Sequence, residues 1–234
     1  MPAPNWMDHL PRHRLLAEFS LWSADLAHLA EDVARSDAFA DLYHIDVADG
    51  HFAPALLFFP DLVARLRRLT GRPFHVHLMV ADEILLDQID QFAEAGADLI
   101  SVQAENARVL PAALDRIRAH GIKRGLVLKL NTPVSAAEPL LGAVDFVTLL
   151  GTAIGVKGQG LSPEACPRLA TLRRMIAESG HADSVILAAD GGIRDTTAPA
   201  LAAAGAQTVV MGSLAFGAPD LSARMRWLHG LPLA

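Results

Sequence analysis

The side chains best suited to chemistry lie in three short apolar runs. One reads Tyr43-His44-Ile45-Asp46-Val47-Ala48-Asp49-Gly50-His51, another Phe74-His75-Val76-His77-Leu78-Met79, and the third Ala188-Ala189-Asp190-Gly191-Gly192. In an extended chain, side chains two apart share a face, so His44 pairs with Asp46 and His75 with His77. Taken singly, each signal has an ordinary reading. A His-x-Asp pair at a strand end is often a hydrogen-bonded structural pair, and an Asp before Gly-Gly is often a turn residue. Brought to one place, two imidazoles and two carboxylates form a mixed nitrogen–oxygen set suited to a divalent ion such as Zn, Fe, Mn or Co. Burying these groups without a cation would be costly.

A second set of residues suits an anion. Residues 151–160 read Gly-Thr-Ala-Ile-Gly-Val-Lys-Gly-Gln-Gly; Gly191-Gly192 follows Asp190, and Gly212-Ser213 opens a short helical turn, Ser213 to Phe216. Such glycines either only close tight turns or present backbone N–H groups to a phosphate. Three such loops on one rim favour phosphate, held by backbone N–H groups and a helix end without any need for net positive charge.

These residues need a frame that gathers them. Apolar runs suited to strands fall near 17–22, 42–47, 73–78, 98–103, 124–129, 144–150, 184–189 and 207–211. Between and after them, helical patterns fall near 24–36, 58–69, 82–95, 108–120, 134–142, 162–179, 195–204 and 219–229. Glycines such as Gly96, Gly121, Gly142 and Gly205 stand where a helix would end and a strand begin. Strict strand–helix alternation implies a parallel sheet. Eight units in 234 residues favour a closed (β/α)8 barrel, which typically needs roughly 250. In such barrels, reacting groups sit at the C-terminal strand ends and in the loops that follow. The expected organisation is an added N-terminal arm over residues 1–14, covering the barrel floor or making a subunit contact, and a single barrel domain over 15–234.

Bulk properties narrow the partners. A net charge of −6 gives no broad positive field for nucleic acid or anionic membrane. Hydrophobic residues at 52% supply one large core, yet no run of 18 or more apolar residues offers a membrane span. Cys166 is the single cysteine, which rules out a disulfide within the chain and fits a reducing compartment; residues 1–14 lack the apolar stretch of a signal peptide. The expected location is cytoplasmic.

The motifs resemble those of the ribulose-phosphate 3-epimerase family. The matching segments are Ser20-Leu21-Trp22-Ser23-Ala24-Asp25, His44 to Phe52 with Pro54, and Val76-His77-Leu78-Met79. Further matches are Ala95-Gly96-Ala97-Asp98, Thr132-Pro133, Ala189 to Ile193, and Gly212-Ser213 with Phe216-Gly217. The resemblance implies a TIM barrel of the ribulose-phosphate-binding type, assembled as a homo-oligomer. It implies one divalent metal held by His44, Asp46, His77 and Asp190, with Asp46 and Asp190 as the acid–base pair. Ser23 would orient the substrate or the Asp46 carboxylate. Phosphate would bind Gly191, Gly192, Gly212, Ser213 and the loop around Gly155 and Gly158. The chain departs from the family pattern at Ala48 and Leu150, where the family has Met. It departs also at His75 for an acidic residue, Gln103 for His, Lys129 for Asn, and across residues 151–160; Met79 is retained.

The reaction so implied inverts C3 of a small ketose phosphate, D-ribulose 5-phosphate or a close analogue. Two further readings stay open on the residues themselves. Lys129, placed two beyond Val127, could point into the barrel as a substrate contact, a salt-bridged residue or the Schiff-base lysine of an aldolase-type lyase. The altered loop and missing methionines would also fit a catalytically silent sugar-phosphate-binding relative. His75 reads equally as a partner of the metal site or a packed barrel histidine.

Overall fold

A computed structural model of the chain describes residues 2 and 5–234. Among these, eight parallel strands close into one barrel in chain order. They are β1 (Leu16–Ser20), β2 (Leu42–Ala48), β3 (Phe74–Met79), β4 (Leu99–Gln103), β5 (Lys123–Leu128), β6 (Phe146–Leu150), β7 (Ile186–Asp190) and β8 (Thr208–Met211). The helices are α1 (Leu29–Ser36), α2 (Pro60–Leu66), α3 (Asp82–Glu94), α4 (Leu110–Ala119), α5 (Ala165–Glu178), α6 (Ala198–Ala203), α7 (Ser213–Phe216) and α8 (Leu221–His229). This is the expected (β/α)8 TIM barrel, with its strands buried on both faces.

The outward side chains of the strands, among them Phe19, Tyr43, Ile45, Val76 and Leu78, meet the inner faces of the helices in the main apolar cluster. That double burial is why the strands read as nearly continuous apolar runs. The inward side chains stack in layers. At the floor, Leu42, Leu99, Phe146 and Ile186 pack together, and Trp6 and Met7 close over them from a 3-10 turn, Trp6–His9. Trp6 and Met7 thus cover the floor; residues 1, 3 and 4 of the expected arm lie outside the described residues. The middle layer is polar, with Glu18, His44, His75, Ser101 and Thr208 all fully buried. The upper layer carries Ser20, Asp46, His77 and Gln103.

Strand register fixes who sits beside whom. His44 pairs with His75 and Asp46 with His77 across β2 and β3, while Leu150 pairs with Asp190 across β6 and β7.

Two helices differ from expectation. The first begins at Leu29 rather than near 24, because Leu21–Ser23 forms a 3-10 turn and the Asp25 carboxylate accepts from the Ala27 N–H at 3.0 Å. Such local side-chain bonds compete with helix formation. The segment near 134–142 is a 3-10 helix, Val134–Ala143, with Pro139 inside it. Proline has no N–H, and its ring crowds the carbonyl four residues earlier, so an α-helix is disfavoured there. Gly142 lies inside this helix; Gly96, Gly121 and Gly205 do mark helix ends at positive φ. Among the described residues no helix is long and apolar enough to cross a membrane.

Candidate metal centre and active site

The ends of β2, β3 and β7 bring four side chains to one point. His44 Nε2 lies 3.3 Å from Asp46 Oδ1 and 4.0 Å from Asp190 Oδ2. His77 Nδ1 lies 3.4 Å from Asp46 Oδ1 and 4.0 Å from Asp190 Oδ2. One donor atom from each of the four falls within 4.8 Å of the others. Both ring nitrogens are buried, and neither has a hydrogen-bond partner. Buried polar atoms without partners are uncommon and call for an explanation. Two donors held about 2.0–2.1 Å from one ion at the tetrahedral angle stand about 3.4 Å apart. The separation of both histidines from Asp46 matches that figure, so the four residues fit a divalent cation.

The surrounding bonds hold the donors in place. Ser20 Oγ donates to Asp46 Oδ2 at 3.0 Å, and Glu18 Oε2 lies 3.1 Å from His44 Nδ1. The Gln103 Nε2 amide nitrogen lies 2.6 Å from His77 Nε2, while Gln103 Oε1 has no partner, so the amide is better turned over. A His77 that donates from Nε2 to the amide oxygen satisfies both groups and leaves the Nδ1 lone pair facing the cluster.

Burial opposes every charge here, and the balance differs from group to group. At Asp46 burial raises the pKa, but His44 and His77 outweigh it and hold the carboxyl well below its usual range. At Asp190 burial dominates; with the Asp46 charge it pushes the carboxyl up to about 6, against the pull of His44 and His77. Burial would lower His44, yet the Asp46 and Glu18 carboxylates raise it well above an ordinary imidazole. Burial lowers His75 to about 4 despite Glu18, so that ring is neutral. Two carboxylates that disagree so strongly mark a place where a shared cation would relieve both.

Above the cluster lies a cavity of about 400 Å³. Asp46, His77 and Asp190 form its floor, and Met79 and Leu150 also line it. Its rim is the glycine loops: Gly155 and Gly158 from the loop after β6, Gly191 and Gly192 after β7, and Gly212 with Ser213 at the start of α7. Gly192 has φ +72°, and a Cβ there would come within 2.8 Å of the Leu161 backbone. Only glycine lets that loop approach so closely. The Lys157 ammonium reaches the Trp22 carbonyl and stands 4.8 Å from the Trp22 ring centre, drawing the loop after β6 across the mouth.

At three positions the structure narrows the expectations. Ser23 lines the cavity, but the hydroxyl on Asp46 belongs to Ser20, whose strand position faces the carboxylate. His75 lies beneath the cavity, bonded to Glu18 at 2.6 Å and Ser101 at 2.6 Å. Lys129 lies past the end of β5 and does not line the cavity; its Nζ sits 3.6 Å from the Phe52 ring centre, held as a cation over an aromatic face. This geometry does not favour an aldolase-type lyase. Glu18, Ser20 and Arg194 were not anticipated. Arg194 lines the cavity directly after the Gly-Gly loop. A charged residue inside the apolar run Leu16-Ala17-Glu18-Phe19 was the signal for Glu18.

With this geometry in view, the relationships of the chain are decisive. The model of the ribulose-phosphate 3 epimerase family matches residues 16–216. The chain belongs to this family. The ribulose-phosphate 3-epimerase of Bacillus subtilis is 35% identical over 90% of this chain and 96% of its own length. That of Escherichia coli K12 is 37% identical over 86% and 88%. The chloroplastic ribulose-5-phosphate-3-epimerase of Arabidopsis thaliana is 34% identical over 93% and 77%. The ribulose-phosphate 3-epimerase family member described here is accordingly an isomerase of the epimerase type. Among solved structures, a 3-hexulose-6-phosphate synthase superposes with a TM-score of 0.62 at 18% identity, covering 94% of this chain and all of the other. Orotidine 5'-phosphate decarboxylase from Pyrococcus horikoshii gives 0.65 at 13%, covering 92% and 97%. At these identities they speak for the barrel alone.

Proposed function

We propose that the protein is a metal-dependent ketose-phosphate 3-epimerase, acting on D-ribulose 5-phosphate or a close ketose phosphate. The observation that carries this reading is that Asp46 and Asp190 both join the four-donor cluster on the cavity floor. Inverting a carbon next to a ketone requires a proton to leave on one face and return on the other. Asp46 and Asp190, from strands on different sides of the mouth, supply one carboxylate for each face; one takes the carbon-bound proton and the other delivers one. The resulting enediolate needs its oxygen charge stabilised, since a carbon acid is far weaker than a carboxylic acid.

His44, Asp46, His77 and Asp190 would hold the divalent ion, and their mixed nitrogen–oxygen set suits Zn, Fe, Mn or Co. When bound, the ion supplies Lewis-acid stabilisation of that charge. Ser20 orients the Asp46 carboxylate, and the closing loop around Lys157 limits water. The backbone N–H groups of Gly191, Gly192, Gly212 and Ser213, aided by Arg194, bind the phosphate, so that remote binding energy orients the reacting carbon. The resemblance also supports self-association of the chain, which analytical ultracentrifugation checks.

The test is inversion together with solvent deuterium uptake at C3, run with D-ribulose 5-phosphate and with ketotetrose and ketohexose phosphates. Deuterium entering only C3, with D-xylulose 5-phosphate as product, is the expected result. Carbon–carbon cleavage, or binding without exchange, contradicts the reading.

A further inference from the structure

One carboxylate in the barrel belongs to neither the acid–base pair nor the donor cluster. Glu18, on β1, is fully buried, one layer below the cavity. Its Oε2 lies 3.1 Å from His44 Nδ1 and 2.6 Å from His75 Nδ1, and its Oε1 accepts from Thr208 Oγ1 at 3.1 Å. An ionised carboxylate only accepts, so each of its three neighbours must present a hydrogen. Both imidazoles therefore carry their proton on Nδ1. For His44 the consequence is direct: in the neutral ring that a cation requires, the lone pair is on Nε2, the buried nitrogen that faces Asp46 and Asp190 without a partner.

The arrangement is built rather than incidental. His75 Nε2, left as an acceptor, is met by Ser101 Oγ at 2.6 Å. Room for that hydroxyl comes from Gly125, where a Cβ would collide with Ser101 Oγ. The His44 and His75 rings stand edge-on, 4.6 Å apart at 76°, so neither can turn without displacing the other. The bonds run one way, from Ser101 to His75 to Glu18, with His44 donating from the other side. No Lys or Arg neutralises Glu18 among its bonded partners, and its negative charge lies directly behind a cation ligand.

We propose that Glu18 is a positioning residue for the metal ligand His44, fixing its tautomer and ring angle and adding negative charge behind the donor cluster. This rests on the metal-site reading above. Glutamine at this position keeps the shape but brings an NH2 and no charge. It either leaves an unmatched donor or drives the His44 proton to Nε2, toward the cation.

The test is Co(II) titration of the chelator-stripped full chain without substrate, read from the d–d absorption, for wild type, Glu18→Gln, Glu18→Asp and Thr208→Val. Outer partners of metal-bound histidines typically alter affinity by about 10–100-fold. Glu18→Gln is expected to weaken Co(II) binding by that amount and to change the band shape. Glu18→Asp, which keeps the charge but draws it back, falls between it and wild type and reports on the same question if Glu18→Gln does not fold. Thr208→Val, which removes a bond on the far oxygen only, stays within about threefold of wild type. A purely structural role would lower the melting temperature of the metal-free protein and leave the Co(II) affinity and spectrum of Glu18→Gln at wild-type values; that result overturns the proposal. A wild-type chain that binds no Co(II) overturns the metal-site reading itself, and this inference with it.

Discussion

The floor and the rim of the cavity are built by different means. The floor is made of side chains on strands: His44, Asp46, His77 and Asp190, the first three held by Glu18, Ser20 and Gln103 from the strands alongside. The rim is made largely of backbone, in glycine loops after β6, β7 and β8. Metal ligation and proton transfer depend on angles, and neighbouring strands in register supply them. Phosphate binding depends on converging N–H groups, which a loop without Cβ atoms supplies best. The two halves should therefore fail separately.

The largest separation comes from the floor. Asp46→Asn and Asp190→Asn should each lower kcat by at least the ~10²–10⁴ typical of acid–base groups, with KM changing far less. Steady-state kinetics checks this; an equal loss in KM would place the aspartates in binding instead. Removing the metal is next. An ion present at 100 times its Kd adds about 2.7 kcal/mol to the folded state, so chelation should lower the melting temperature and re-addition restore it.

Breaking the rim should look different. Gly192→Ala, forced to φ +72° and against the Leu161 backbone, costs on the order of 1–3 kcal/mol of strain. It should raise KM for the phosphorylated ketose at least tenfold while Co(II) affinity stays at the wild-type value. Unchanged KM would mean the Gly-Gly loop does not hold the phosphate. The smallest effect is expected outside both halves. Lys129→Ala removes a half-buried cation over Phe52, worth about 0.5–2 kcal/mol, and should leave kcat within twofold. Borohydride trapping of substrate on Lys129 would revive the lyase reading.

The four donors that meet on the floor were legible because strand periodicity acts on them directly. Two residues apart on β2 put His44 and Asp46 on one face, and a barrel must bring strand ends together. Gly-Gly and Gly-Ser after strands marked the rim for the same reason. What could not be read was register between strands distant in sequence. Ser20 and Ser23 are three apart, and only the pairing of Ser20 with His44 shows which hydroxyl reaches Asp46. Lys129 was placed inward by counting from Val127, but β5 ends at Leu128, and the Phe52 ring captures the ammonium beyond it. Glu18 and His75 make one lesson. Where the family pattern has an acid on β3 this chain has His75, and the buried carboxylate comes from β1, a complementation that only the closed barrel reveals.

The most direct measurement is anomalous X-ray scattering from crystals of the protein grown with a divalent transition metal. The account predicts a single strong peak bonded to His44 Nε2, His77 Nδ1 and the carboxylates of Asp46 and Asp190. A peak elsewhere, with those four side chains parted and no ion between them, would contradict it.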